Sequence, residues 1–334
     1  MNAILSPAIG LVVALVATRI MISLAPQLGL VDTPNERSIH ALPVATLGGV
    51  GIVLGVFVSV IVQVLTTDAR PVSLWPLFGA GLILLVLIKD EWQALAWGTK
   101  LVVQGVAAAV IVGSLEGTNI FLTGDVVPVW AGRALCLVTL VYFQNIYNFM
   151  DGLDGLGGMH GVLVGGILFV LFAPVSPFLS ILCLSISTAS LGFLIWNIPP
   201  ARIFMGDVGA HFLGLVFVWI ALVGEGMGVP VGVTLLSLGA FIFDSSFTLC
   251  RRLLRGENLI KAHRFHLYQR LEQSGVSPLK VDGIYVVWTA LFGLVAFAVQ
   301  ASSYQGLACA TAIAFTLGMT VITEYRWMRV VKES

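Results

Sequence analysis

The stretch VGAHFLGLVFVWIALVG, residues 208–224, runs for seventeen positions without an Asp, Glu, Lys or Arg, and it is bounded by Asp207 and Glu225. Such a run is long enough to cross the hydrocarbon core of a bilayer as a helix. Working outward from it, comparable windows bounded by Pro, Gly or charge fall at residues 3–25, 46–65, 72–88, 100–115, 131–149, 156–173, 177–196, 229–249, 281–302 and 305–323. Together they make eleven candidate helices, which predicts an all-α polytopic membrane protein whose 334 residues form a single integral-membrane domain.

Composition leads to the same class. The chain is 58% hydrophobic and 10% charged, against roughly 25% charged in a soluble domain. An aqueous fold lacks the polar surface to cover that much apolar area. The formal net charge is zero, which does not suggest a nucleic-acid partner. Cys136, Cys183, Cys250 and Cys309 sit singly in apolar runs, without zinc or redox spacing, and read as inert core thiols. No Lys or Arg precedes Arg19, so the first run reads as a retained helix and not a cleaved leader.

The connections differ in charge. Arg37, Lys89, Lys100, Arg202, Arg251, Arg252, Arg255, Lys261, Arg264, Arg270, Lys280, Arg326, Arg329 and Lys332 gather on one side, opposed by Arg70 and Arg133. By the positive-inside rule the N-terminus is expected outside, in the periplasm, and the tail EYRWMRVVKES in the cytoplasm. An outer connection, NIFLTGDVVPVW, residues 119–130, reads as a small periplasmic β-hairpin about a Thr-Gly-Asp turn.

Polar clusters collect in the cytoplasmic connections, as expected of one site at the membrane surface. In NIYNFMDGLDG, Asn145, Asn148, Asp151 and Asp154 recur every third residue and are expected to form a ridge along the end of the fifth helix. Helix capping accounts for one such residue, not four with glycines after both carboxylates. In NIPPARIFMGDVG, Arg202 supplies a fixed cation and Asp207 stands just ahead of the eighth helix; an N-cap explains the Asp alone, and the helix N-terminus would attract phosphate. His263, His266 and Arg270, at helical spacing, share one side with Arg264 nearby and suit an anion, with lipid headgroup contact as the plain alternative. Asp90 and Glu91 follow the third helix and Lys100 opens the fourth, where a salt bridge to Lys89 or Lys100 is the simpler reading. Asp32, Arg37 and His40 sit between prolines in an ordered turn. Asp244, inside the ninth run, is either functional or paired to Arg251 or Arg252. His160 and His211 are lone residues at helix ends and read as structural, although His211 is close to Asp207.

These segments, from DTPNERSIH through KDEWQALAWGTKLVVQ, NIYNFMDGLDGLGG and NIPPARIFMGDVGAHFLG to HRFHLYQRL, resemble the polyprenyl-phosphate N-acetylhexosamine-1-phosphate transferases, glycosyltransferase family 4. The resemblance implies a Mg2+-dependent reaction, with Mn2+ as the alternative ion, at the cytoplasmic face of the bacterial inner membrane. Undecaprenyl phosphate would attack the sugar-linked phosphorus of a UDP-N-acetylaminosugar and release UMP. It also implies Asp207 as principal metal ligand with Asp151, Asp90 and Asp154 as further catalytic carboxylates, Asn145 and Asn148 on the nucleotide side, and Lys100, His263, Arg264, His266 and Arg270 on phosphates. Arg37, His40 and Arg202 join the expected substrate-binding set, and a homodimer is an allowed assembly. Glu91 stands where many members have a second Asp, Ala210 where Ser is frequent, and His-Arg-Phe-His where the peptidoglycan enzyme has consecutive histidines. That last difference disfavours a MurNAc-pentapeptide substrate and resembles enzymes that initiate O-antigen.

Charge shapes the expected chemistry. A phosphate monoester with second pKa near 6 carries almost two charges at pH 7, so repulsion between two phosphates is the main obstacle and little proton remains for a base to remove. Asp90 is therefore expected to orient or support, with direct attack favoured over an aspartyl intermediate. The competing class is a transporter of an anionic solute, which would place charges at mid-span; Asp244 alone hints at it.

Overall fold

The computed structural model describes residues 4–33, 43–68, 75–93, 95–115, 128–258 and 263–333. In chain order they form α1 (Leu5–Leu24), β1 (Val31–Asp32), β2 (Val44–Ala45), α2 (Gly49–Thr66), α3 (Trp75–Trp92), α4 (Trp97–Gly113), α5 (Val129–Met150), α6 (Leu156–Phe172), α7 (Pro177–Asn197) and α8 (Gly206–Glu225). They continue as α9 (Val231–Leu236), α10 (Gly239–Leu254), α11 (Leu267–Gln273), α12 (Pro278–Gln300) and α13 (Gln305–Glu333). Seven of these, α1, α2, α5, α7, α8, α12 and α13, are long and apolar enough to cross a membrane, and α4 and α6 are apolar helices of 17 residues.

The quoted stretch is the centre of the molecule. Of its helix α8, 89% of the apolar window is buried, against 17% for α13, so α8 is walled by protein and α13 faces outward. Close approach to α8 depends on missing side chains: a Cβ on Gly209 would stand 2.7 Å from Gly49 Cα on α2, and one on Gly214 would stand 2.6 Å from the Phe143 carbonyl on α5. Small residues at helix crossings do this work where lipid provides no hydrophobic drive. Around α8 lie α2, α3 and α5, with α1, α6 and α7 packed as a further layer.

Three expectations change. The ninth window is two helices, since the chain breaks at Ser237 and Leu238, where the Ser237 hydroxyl donates to the Thr234 carbonyl at 2.6 Å. The C-terminal tail is part of α13, a helix of 29 residues, and is not a separate extension. Cys136 and Cys183 are buried, whereas Cys250 is exposed on α10, so it is no core thiol. The expected outer hairpin lies almost wholly outside the described residues; Val129 and Trp130 open α5. A short antiparallel pair does occur elsewhere, between β1 and β2, with Val31 opposite Ala45 and Asp32 opposite Val44.

That pair anchors the start of α8. Phe204 N donates to the Ala45 carbonyl at 2.9 Å, and the Gly48 and Gly49 amides donate to the Phe204 and Met205 carbonyls, each at 2.8 Å. The connection between α7 and α8 is thereby stitched to the β2–α2 junction, which fixes where Asp207 emerges.

Candidate active site

Helix ends that are remote in sequence meet at one end of the bundle. Asp207, in the first turn of α8 and not ahead of it, projects between α4 and α5. Its Oδ2 lies 3.0 Å from Lys100 Nζ, and its Oδ1 accepts from Asn148 Nδ2 at 2.9 Å. Lys100 also pairs with Asp90 Oδ2, while Asp90 Oδ1 accepts from Leu95 N at 2.7 Å. Lys100 is therefore a clamp between two carboxylates, and Asp90 stands one shell behind the cavity, held by that clamp. The salt bridge expected from the sequence exists, but it is shared with Asp207.

The expected four-residue ridge is only half helical. Asn145 and Asn148 lie on α5, where Asn145 Nδ2 reaches Gln104 Oε1 at 2.8 Å. The helix ends at Met150, so Asp151 and Asp154 belong to the turn before α6. Asp154 Oδ2 accepts from Ala201 N at 2.8 Å. The Asp151 carboxylate lies over Gly157, where a Cβ would stand 2.1 Å from Oδ1. Burial, and then the neighbouring charges of Asp207 and Asp154, push the Asp151 carboxyl well above the ordinary carboxylate range.

Two cavities flank this wall. One of about 650 Å³ is lined by Asp32, Thr46, Asp151, Asp154, Asp207 and Arg264 among others. The other, of about 610 Å³, is lined by Trp97, Lys100, Leu101, Asn145, Phe149 and His211 and by His263 and His266. Asn148, Asp207 and Gln269 belong to both linings. The second is the more apolar and opens past Trp97 and Leu101, which are exposed on the outer surface of α4.

The histidine segment is built differently from the expectation. Only Leu267–Gln273 is helical; His266 caps α11, with Gln269 Oε1 accepting from His266 N at 3.2 Å. Asp244, fully buried, accepts from Leu267 N at 2.9 Å, Tyr268 N at 3.2 Å and Tyr285 Oη at 2.5 Å, and meets His266 Nδ1 at 3.3 Å. Its partner is thus a helix N-terminus and His266, and neither Arg251 nor Arg252. Phe265 N donates to His263 Nδ1 at 3.4 Å, which leaves Nε2 as the protonated nitrogen of a neutral ring. Burial first, then His266, lowers the His263 pKa to about 4, so this side chain is a neutral donor at pH 7.

Other expected residues are placed elsewhere. Arg270 is buried, binds Glu324 on α13 at 2.5 Å and donates to the Phe265 carbonyl at 2.8 Å, so it latches the segment instead of sharing the cavity side with His263. Arg202 lies over the Trp196 ring at 5.6 Å, outside the described linings of both cavities. Arg264 lines the larger cavity and sits 3.7 Å from Glu272. Arg37 and His40 lie outside the described residues.

One lining residue, Asn197, was not singled out from the sequence, and two that were, Glu91 and His211, take roles the sequence did not assign. Glu91 hydrogen-bonds the Thr46 side chain and the Asp207 backbone amide, so it supports the start of α8. Adjacency to Asp90 was its signal. Asn197 ties Gly155 N, at 3.0 Å, to the Ile203 carbonyl, at 2.9 Å. His211, one turn beyond Asp207, places Nδ1 2.7 Å from the Asp207 carbonyl, which can only accept, so its other nitrogen is the one free to serve the smaller cavity.

Among the described residues no group of three or more His, Cys, Asp or Glu forms a cage for a metal. Mg2+ does not need one, since it takes one or two carboxylates and keeps its waters. Asp207 and Asp151 are oxygen donors on one cavity wall, close enough that the Asp207 charge raises the proton affinity of Asp151, and they fit that ion.

A family model described as glycosyl transferase family 4 matches residues 73–225. A probable undecaprenyl-phosphate N-acetylglucosaminyl 1-phosphate transferase of Bacillus subtilis (strain 168) is 29% identical over 288 residues, covering 84% of this chain and 80% of that protein. The decaprenyl-phosphate N-acetylglucosaminephosphotransferase of Mycobacterium tuberculosis (strain ATCC 25618 / H37Rv) is 30% identical over 341 residues, covering 89% and 82%. A phospho-N-acetylmuramoyl-pentapeptide-transferase of Clostridium perfringens (strain 13 / Type A) is 27% identical over 275 residues, covering 76% and 83%.

Proposed function

This chain belongs to glycosyl transferase family 4 as a polyprenyl-phosphate N-acetylhexosamine-1-phosphate transferase, and from that premise we propose that it transfers an N-acetylaminosugar 1-phosphate from a UDP-sugar to undecaprenyl phosphate, releasing UMP, at the cytoplasmic face of the inner membrane. The observation that carries the reading is the wall shared by two cavities, with Asp207 and Asn148 open to both.

In this reading the larger, more polar cavity takes the nucleotide sugar, with Arg264 toward the diphosphate and Asp154 and Asn197 shaping its floor. The smaller cavity takes the acceptor phosphate, whose isoprenoid chain leaves past Trp97 and Leu101 because it cannot leave the bilayer. An oxygen of the acceptor phosphate forms a bond to the sugar-linked phosphorus, the bond to the UMP oxygen breaks, and UMP departs with that electron pair. Asp207 and Asp151 would hold Mg2+, which when bound would neutralise charge on the transferring phosphoryl group. Lys100 presents its ammonium beside Asp207, and His263 presents an N–H, so the acceptor phosphate meets two donors as it approaches. Asp90 holds Lys100 in place and has no proton to abstract from a phosphate already ionised.

The departures at HRFHLYQRL favour a GlcNAc-type sugar and initiation of a surface glycan such as O-antigen over a MurNAc-pentapeptide donor. The transporter reading loses its one support, since Asp244 is consumed as a helix cap. The test incubates purified protein with undecaprenyl phosphate, Mg2+ and a panel of UDP-GlcNAc, UDP-GalNAc and 6-deoxy UDP-sugars. UMP release with one of them is the expected result, and no release from any, or release unaffected by EDTA, overturns the reading.

A further inference from the structure

A polar cluster outside the catalytic wall lies between α6 and α12. His160, Asp282 and Thr289 are 3%, 0% and 1% exposed. Both imidazole nitrogens, both carboxylate oxygens and the threonine hydroxyl lack a hydrogen-bond partner among the described residues. All three residues line one cavity of about 10 Å³. Buried polar atoms left unpaired are costly, a carboxylate most of all. Local partners are already committed: the Tyr285 hydroxyl beside them donates to Asp244 at 2.5 Å. The His160 ring is held in plane by stacking on Phe241 at 3.5 Å and 4°.

The cluster touches the catalytic turn. A Cβ on Gly155 would stand 2.8 Å from Asp282 Oδ2, and Gly155, with φ +87°, directly follows Asp154. The left-handed backbone there and the carboxylate against it leave room for glycine alone.

We propose that this cavity is a structural water site, and that its bridge between α6 and α12 makes Asp282 a positioning residue for Asp154 and the donor cavity. One water that donates to an Asp282 oxygen and to the unprotonated nitrogen of His160 satisfies two of these five unpaired atoms and links the two helices. A cavity of roughly 10–15 Å³ holds one water, which ordinarily makes about three hydrogen bonds. The part that concerns the donor rests on the function proposed above, whereas the water bridge itself does not.

Two measurements separate them. Asp282→Leu, His160→Phe and the double variant are compared by unfolding temperature in detergent. If both side chains lose the same water, the double variant loses less than the sum of the single losses; additive losses overturn the bridge, whatever the enzyme's substrate. Should Asp282→Leu fail to fold, Asp282→Asn with His160→Phe completes the same cycle. Steady-state kinetics of Asp282→Asn should then show the UDP-sugar KM raised about tenfold, the size of one or two lost hydrogen bonds, with the polyprenyl-phosphate KM within about twofold of wild type. Equal changes in the two KM values, or an unchanged donor KM, overturn the positioning role.

Discussion

Replacing Lys100 by Met removes the ammonium while keeping the length of the side chain, and it separates two jobs of the clamp. With Nζ 3.0 Å from Asp207 Oδ2, Coulomb attraction at an effective dielectric of about 20 is roughly 5 kcal/mol. Lys100 and Asp207 are 28% and 29% exposed at their side chains, and solvent screening cuts that figure to about 2 kcal/mol. If the ammonium stabilises the transferring phosphoryl group by a similar amount, kcat falls about 30-fold, since 1.36 kcal/mol is a factor of ten. The second consequence has the opposite direction. Lys100 competes with a divalent cation for Asp207, so without it the half-saturating Mg2+ concentration falls. The assay is UMP release across a Mg2+ titration at saturating substrates. A half-saturating Mg2+ that rises together with the loss of kcat would refute the clamp argument, because it would make Lys100 an aid to the metal and not its competitor.

Asp207→Asn is expected to abolish transfer even at saturating Mg2+, whereas Asp90→Asn, which loosens Lys100, should lose the same factor from about pH 6.5 to 9, because the acceptor phosphate is already ionised; a loss that shrinks at high pH would restore a base role to Asp90. Gly157→Ala would put a methyl 2.1 Å from Asp151 Oδ1, whereas Gly166 faces open space. Displacing the carboxylate by about 1 Å predicts about a hundredfold loss of kcat for Gly157→Ala and wild-type activity for Gly166→Ala, and similar activities would argue against Asp151 as a catalytic carboxylate. Because the Asp151 pKa is raised in the folded state, its contribution to stability is fully present below the unfolded value and is lost as pH rises through the raised one. Metal-free protein should therefore show an unfolding temperature that declines above the ordinary carboxylate range. Mg2+ should flatten the decline and Asp151→Asn should remove it; a slope unchanged in that variant would assign it to another group.

The long helices were readable because an apolar run of about twenty residues has one stable form in lipid, a helix that satisfies its own backbone. Residues 208–224 and nearly every other window map onto helices at the expected places. Where a window did not become one helix, at 229–249, the break falls at Ser237 and Leu238, and a departure of two residues does not register in hydropathy. Periodicity misled at two points for one reason: it assumes the helix continues. Asp151 and Asp154 follow the end of α5, and His263 and His266 precede α11, so their spacing in sequence does not give their directions in space.

The chemical residue types at the site were present in the sequence, and so was their crowding at one set of helix ends. Sequence alone marked this chain as a polytopic membrane protein and placed Asp90, Lys100, Asn148, Asp151, Asp154 and Asp207 at the ends of apolar runs. Tertiary structure decided which of them touch. Lys100 chose both carboxylates, Arg270 turned to Glu324, Asp244 became a cap, and Glu91 came under the start of α8. Hydropathy is a sum over a segment and needs no partner, whereas an ion pair or a cap depends on a few ångströms between residues as much as 107 positions apart, a separation that only the packed helices set.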